Sequence, residues 1–110
     1  MACVVSLTDQ TFEQEVVKES RPVLVDFSAE WCPPCDLAAP VMEELCTTAP
    51  HGLKVVKVEV EKCLETSRRH NIQAMPTFVL YRGGKVLSQT RGFGSKRALV
   101  NWVEQTLSNP

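Results

Sequence analysis

Asp26-Phe27-Ser28-Ala29-Glu30-Trp31-Cys32-Pro33-Pro34-Cys35 decides how the rest of the chain is read. The stretch continues an apolar run (Val23 to Ser28) that reads as a strand, passes through a short loop, and reaches two cysteines separated by two prolines. A helical pattern begins directly behind the second cysteine. The first turn of a helix has backbone N–H groups without intrahelical partners, and its dipole is positive at that end. An anion is stabilised there, and the anion expected is the Cys32 thiolate, made more available as a nucleophile near neutral pH. Cys35, one turn on, is close enough to attack a mixed disulfide formed at Cys32. The pattern is that of a dithiol–disulfide exchange site.

Asp26 is out of place in its own strand. Val23-Leu24-Val25-Asp26-Phe27 is nearly continuous in apolar character, as expected of a central strand covered on both faces. Burying an ionised carboxylate alone costs several kcal/mol, so this acid is expected to raise its pKa and hold its proton near neutrality.

Working outward, Cys3 to Leu7 reads as a first strand, and Thr8 or Asp9 as the cap of a helix striped with Phe12, Val16 and Val17. Arg21-Pro22 ends that helix. The helix behind Cys35 is expected from Pro34 to about Thr48, with Pro34 in its first turn and Pro40 kinking its interior. Leu53 to Val60 alternates as a strand, and Glu61 to His70 reads as a polar helix. Thr77 to Tyr81 and Lys85 to Thr90 flank Gly83-Gly84, a strong signal for a tight hairpin whose turn requires positive φ. Ser95 is placed to cap a last helix lined by Leu99, Trp102, Val103, Thr106 and Leu107. The order βαβαβαββα implies an α/β fold, with a mixed central sheet and helices on both faces.

Composition narrows the function classes. The chain has 110 residues, 44% hydrophobic and 23% charged, with a formal net charge of −1. These values suit one domain with a single core, and offer no electrostatic basis for binding nucleic acid or an anionic membrane. No apolar run approaches the roughly 18 residues of a membrane helix. The start, Met1-Ala2-Cys3-Val4-Val5, has neither the basic segment nor the apolar core of a signal peptide, so a reducing intracellular compartment, the cytoplasm, is the expectation. Five cysteines, an odd number without scaffold spacing, argue against a disulfide framework. Cys46 reads as a small core residue, and Cys3 and Cys63 as candidates for more accessible thiols; for Cys63 a structural role is the favoured reading, with oxidation or an intermolecular disulfide as the alternative. His51 and His70 read as solvated, and Trp102 as core.

Over essentially its whole length the chain resembles the thioredoxin family. The resemblance rests on Val25-Asp26-Phe27, Ala29-Glu30-Trp31-Cys32 with Pro34-Cys35, Ala39-Pro40, Lys57, Met75-Pro76-Thr77-Phe78, Gly83-Gly84-Lys85 and Gly92, in family order. It implies a thioredoxin fold over residues 1–110 and a protein-disulfide reductase. Cys32 resembles the exposed attacking thiol, Cys35 the buried resolving thiol, Asp26 the buried acid that takes the Cys35 proton, and Lys57 the neighbour that tunes it. Pro76 resembles the cis-proline facing the disulfide, and Trp31, Pro34, Met75 and Gly92 resemble the shallow groove that receives substrate polypeptides. The implied partners are a thioredoxin reductase, linked to NADPH or ferredoxin, and disulfide-containing clients. The implied protein is a monomer with no bound cofactor and no metal.

Two departures stand out. Pro33 occupies a position where glycine is more frequent in the family; it removes a backbone donor and stiffens the loop. Ser28 stands where many bacterial members carry a second tryptophan. Other readings remain open at this level. Cys-x-x-Cys is also zinc-ligand spacing, with Cys46, Cys63, His51 or His70 needed to complete the set. A specialised electron donor in the manner of tryparedoxins shares Trp-Cys-Pro-Pro-Cys, and a thioredoxin-fold binding subunit would use the Trp31–Met75–Gly92 surface with incidental redox chemistry.

Overall fold

The computed structural model describes residues 2–109; Met1 and Pro110, the ends of the expected 1–110 domain, lie outside the described residues. Its strands are β1 (Val5–Ser6), β2 (Val23–Ser28), β3 (Lys54–Glu59), β4 (Thr77–Arg82) and β5 (Lys85–Arg91). They form one sheet in the order β1-β3-β2-β4-β5. β2 lies at its centre, parallel to β3 and antiparallel to β4, and all six of its residues are buried. The mixed sheet expected from the element order is therefore present.

Alternation along β2 assigns its side chains to two layers. Leu24, with Val55, Phe78 and Leu80, packs under α1 (Pro33–Thr48) and α3 (Lys96–Ser108). Val23, Val25 and Phe27 face the opposite way, against Phe12, Val16 and Cys63. Both sheet faces are thus covered, which explains why β2 contains so little polar sequence. Asp26 shares parity with Leu24 and so lies on the α1 side. Its register partner on β3 is Lys57, two residues beyond Val55 on the same face.

Several local expectations are met. Gly83 and Gly84 have φ of 61° and 79°, giving the two-residue turn between β4 and β5. Ser95 caps α3, its side chain accepting from Ala98 N–H. α1 runs from Pro33 to Thr48, close to the expected Pro34 to Thr48, with Pro40 in its interior. Thr8 and Thr11 exchange backbone-to-hydroxyl hydrogen bonds of 2.9 and 3.2 Å at the first helical segment, which is a short π-helical turn, Glu13–Val17.

Others are corrected. Asp9 caps a different helix from the one it precedes: its carboxylate accepts from Thr66 N–H at 2.9 Å and from the Thr66 hydroxyl at 2.6 Å. That helix, α2 (Leu64–Arg69), is shorter than the expected Glu61–His70. His70 is not solvated. It is half-buried against Phe12, Phe27 and Tyr81, its Nδ1 donates to Thr66 O at 2.7 Å, and burial lowers its pKa. His51 is exposed, as expected, and pairs with Glu104 at 3.0 Å. Trp102 is half-buried, its indole N–H donating to Ser88 Oγ at 3.0 Å.

Candidate active site at the mouth of helix α1

Cys32 is the N-cap residue of α1, with extended backbone (φ −118°, ψ 97°), and Pro33 and Pro34 occupy the first two helical positions. Proline is tolerated there because those N–H groups have no intrahelical partner. The two prolines do, however, thin out the donors at the helix mouth. An N-cap side chain normally accepts from the second or third helical N–H. Pro34 removes the former, which leaves the Cys35 N–H; the Asp36 N–H is already given to Cys32 O at 3.1 Å.

The two cysteines differ in exposure as their roles would require. Cys32 is partly exposed, whereas Cys35 is 5% exposed. They are joined by a disulfide, with Cα atoms 5.2 Å apart. Trp31, directly before them, is 94% exposed and has φ of 55°. This left-handed backbone is costly for a bulky residue and is concentrated at functional sites.

On the α1 side of β2, Asp26 is 3% exposed and its Oδ1 has no hydrogen-bond partner. Burial pushes its pKa from 3.8 up to about 7, opposed in part by the positive charge of Lys57. No ion pair joins the two among the described residues, so Lys57 acts on Asp26 through space. Both line a cavity of about 190 Å³ bounded by Val4 and Ser6 on one side and Ala39, Met42 and Glu43 of α1 on the other.

At the β4 end of the site, local contacts bring Met75, Pro76 and Gly92 to Cys32. The Met75–Pro76 peptide is cis, Met75 O lies 3.8 Å from Cys32 Sγ, and Gly92 N–H donates to Pro76 O at 2.7 Å. Gly92 has φ of 80°, a conformation for which glycine is suited. Met75, Pro76, Gly92 and Cys32 are thus linked in space. Trp31 and Lys57 line a second cavity on the other flank with Ser28, Ala29, Glu30, Asp36 and Glu59. Ser28, where a tryptophan is frequent, is 2% exposed with an unpaired hydroxyl.

The ligands a zinc site would have needed are held elsewhere. Cys46 is bonded to Cys3, with Cα atoms 5.9 Å apart. This overturns both the expectation that Cys46 is a free core residue and the expectation of no disulfide beyond the exchange pair. Cys63 is 1% exposed, on the opposite side of the sheet, and donates to Leu7 O at 3.3 Å. Burial, with Asp9 and Glu59 nearby, raises its thiol pKa, so Cys63 fits the structural role rather than that of an oxidisable thiol. The sequence held no signal for the Cys3–Cys46 pair, whose members are 43 residues apart.

Comparison with known proteins agrees with this geometry. A family model described as Thioredoxin matches residues 3–105. Thioredoxin C-2 of Corynebacterium nephridii is 37% identical over 106 residues, which cover 96% of this chain and 98% of that protein. A thioredoxin of Buchnera aphidicola subsp. Schizaphis graminum is 38% identical over 104 residues, 94% of this chain and 96% of its own length. Thioredoxin 1 of Nostoc sp. (strain PCC 7120) is 36% identical over 107 residues, 97% of this chain and all of its own. With the exchange disulfide in place at the mouth of α1, these matches show that the chain belongs to the thioredoxin family of thiol–disulfide oxidoreductases.

Proposed function

We propose that this oxidoreductase reduces protein disulfides with Cys32 as attacking thiolate and Cys35 as resolving thiol. In the reduced protein the Cys32 thiolate attacks a client disulfide, forming a mixed disulfide and releasing one client thiolate. Cys35, losing its proton to Asp26, then attacks Cys32 Sγ. The second client thiolate leaves, and the Cys32–Cys35 disulfide remains, with two electrons passed to the client. Lys57 tunes Asp26 through its charge. Trp31, Pro34, Met75, Pro76 and Gly92 receive the client backbone beside Cys32.

The observation that carries this assignment is the contrast between a partly exposed Cys32 at the helix cap and a buried Cys35 one turn on. The isolated carboxylate behind them, with its raised pKa, supports the role of Asp26. We read residues 1–110 as one thioredoxin domain, monomeric and cytoplasmic, returned to the dithiol by a thioredoxin reductase linked to NADPH or ferredoxin. No helix among the described residues is long and apolar enough to cross a membrane. The chain's own cysteines supply the redox chemistry, so no bound cofactor is required.

Insulin-disulfide reduction tests the assignment. Cys32→Ser should abolish turnover, while Cys35→Ser should accumulate a client mixed disulfide at Cys32 that is visible by mass spectrometry. Turnover retained by Cys32→Ser would refute the mechanism.

A further inference from the structure

The Cys3–Cys46 disulfide occupies a particular place. Glu43, one helical turn before Cys46, accepts from Cys3 N–H at 2.7 Å and from Val4 N–H at 3.1 Å. The N-terminal segment is thus fastened to α1 by one covalent and two polar links. Its other backbone attachment is slight, since β1 has only two residues and pairs only with β3. Val4 and Ser6 of this segment and Ala39, Met42 and Glu43 of α1 are the facing walls of the cavity onto which Asp26 and Lys57 open. The clasp therefore joins the two walls at one end of the cavity that Asp26 lines.

We propose that Cys3 and Cys46 form a second, redox-sensitive disulfide that clasps the N-terminal segment onto α1 and restricts water access to Asp26. The inference rests on the reading of Asp26 as the buried acid of the exchange site. Cys3 is exposed and Cys46 half-buried, so closure begins at Cys3. Its thiolate attacks a low-molecular-weight disulfide, releasing one small thiolate. The Cys46 thiolate then attacks the mixed disulfide at Cys3 Sγ, forming the Cys3–Cys46 bond and expelling the second. Two electrons pass from the protein dithiol to the small disulfide, and the two cysteine protons end on its thiols.

With the clasp open, residues 3–6 keep only their hydrogen bonds to Glu43 and β3, and water enters between the walls. Hydration favours the charged form of a carboxyl group. The charged groups lining the cavity with Asp26 are Lys57 from β3 and Glu43 from α1; β4 contributes Phe78, and the N-terminal segment Val4 and Ser6, none of them charged. None of these changes identity when the clasp opens, so the direction is set by hydration. Asp26 becomes a stronger acid and a weaker acceptor for the Cys35 proton.

Two measurements test this. Reduced wild-type protein is oxidised with glutathione disulfide, alkylated and digested without reductant. A linked Cys3–Cys46 peptide with Cys63 alkylated is expected; Cys3 and Cys46 both alkylated once Cys32–Cys35 has closed would overturn the clasp. The Asp26 carboxyl is then titrated by 13C NMR with Cys32–Cys35 kept oxidised, in wild type and in Cys3→Ser and Cys46→Ser. Both variants should titrate lower than wild type, by roughly half a pH unit or more. An Asp26 that titrates high and unchanged in all three overturns the clasp while leaving the acid's assignment standing. One that titrates in the ordinary carboxylate range in wild type refutes the assignment of the acid itself, and the inference with it.

Discussion

Asp26 governs the pH behaviour of this protein. Its folded-state pKa is raised from 3.8 to about 7, so the folded protein binds this proton more tightly than the unfolded chain does. The stability linked to that proton is fully present below about pH 4 and is lost as pH rises to about 7. At about 1.4 kcal/mol per pH unit the loss is at most about 4 kcal/mol. Asp26→Asn, which cannot ionise, should therefore be more stable than wild type at pH 8 by up to this amount and nearly equal to it at pH 4. Urea denaturation at the two pH values checks this, and equal stability at pH 8 would contradict it. This residue was legible in the sequence because a lone carboxylate inside an apolar strand is costly to bury and lies just ahead of two cysteines. Cys46 was not: its helical spacing alongside Met42 and Leu45 is that of a core residue, and nothing local indicates that residue 3 lies beside it.

Among the elements, α1 carries the site and ends with an avoidable cost. Its C-cap, Ala49, has φ of 46° and ψ of 56°, a left-handed conformation that disfavours any residue with a Cβ. Ala49→Gly should stabilise the protein by about 1 kcal/mol, seen as a rise in Tm; a fall would refute the presence of strain. At the other end, restoring the N–H lost at Pro34 gives the Cys32 sulfur a second donor. Pro34→Ala should make Cys32 alkylate roughly threefold faster near neutral pH, whereas an unchanged rate would mean that this N–H does not reach the sulfur. Periodicity located α1 and α3 well because each has a clear buried stripe. It placed the ends of α2 poorly, since that helix is fixed by Asp9, 57 residues before Thr66, rather than by its own sequence.

For the whole molecule, the mixed character of the sheet followed from the element order and the Gly83-Gly84 turn. Non-local closures did not. The Cys3–Cys46 link spans 43 residues, and a loop of that length constrains the unfolded chain by about 4 kcal/mol in the chain-entropy model. Opening it with Cys3→Ser should lower Tm by on the order of 10 °C, measured with Cys32–Cys35 oxidised in both proteins. An unchanged Tm would show that the link contributes nothing to global stability.

Activation of Cys32 by its position at the cap of α1 is the central claim. The most direct test follows the rate of Cys32 alkylation by iodoacetamide against pH in the fully reduced protein, beside a cysteine in an unstructured peptide. Cys32 should react faster than the peptide thiol at neutral pH and reach its plateau at lower pH; coincident profiles would contradict that claim.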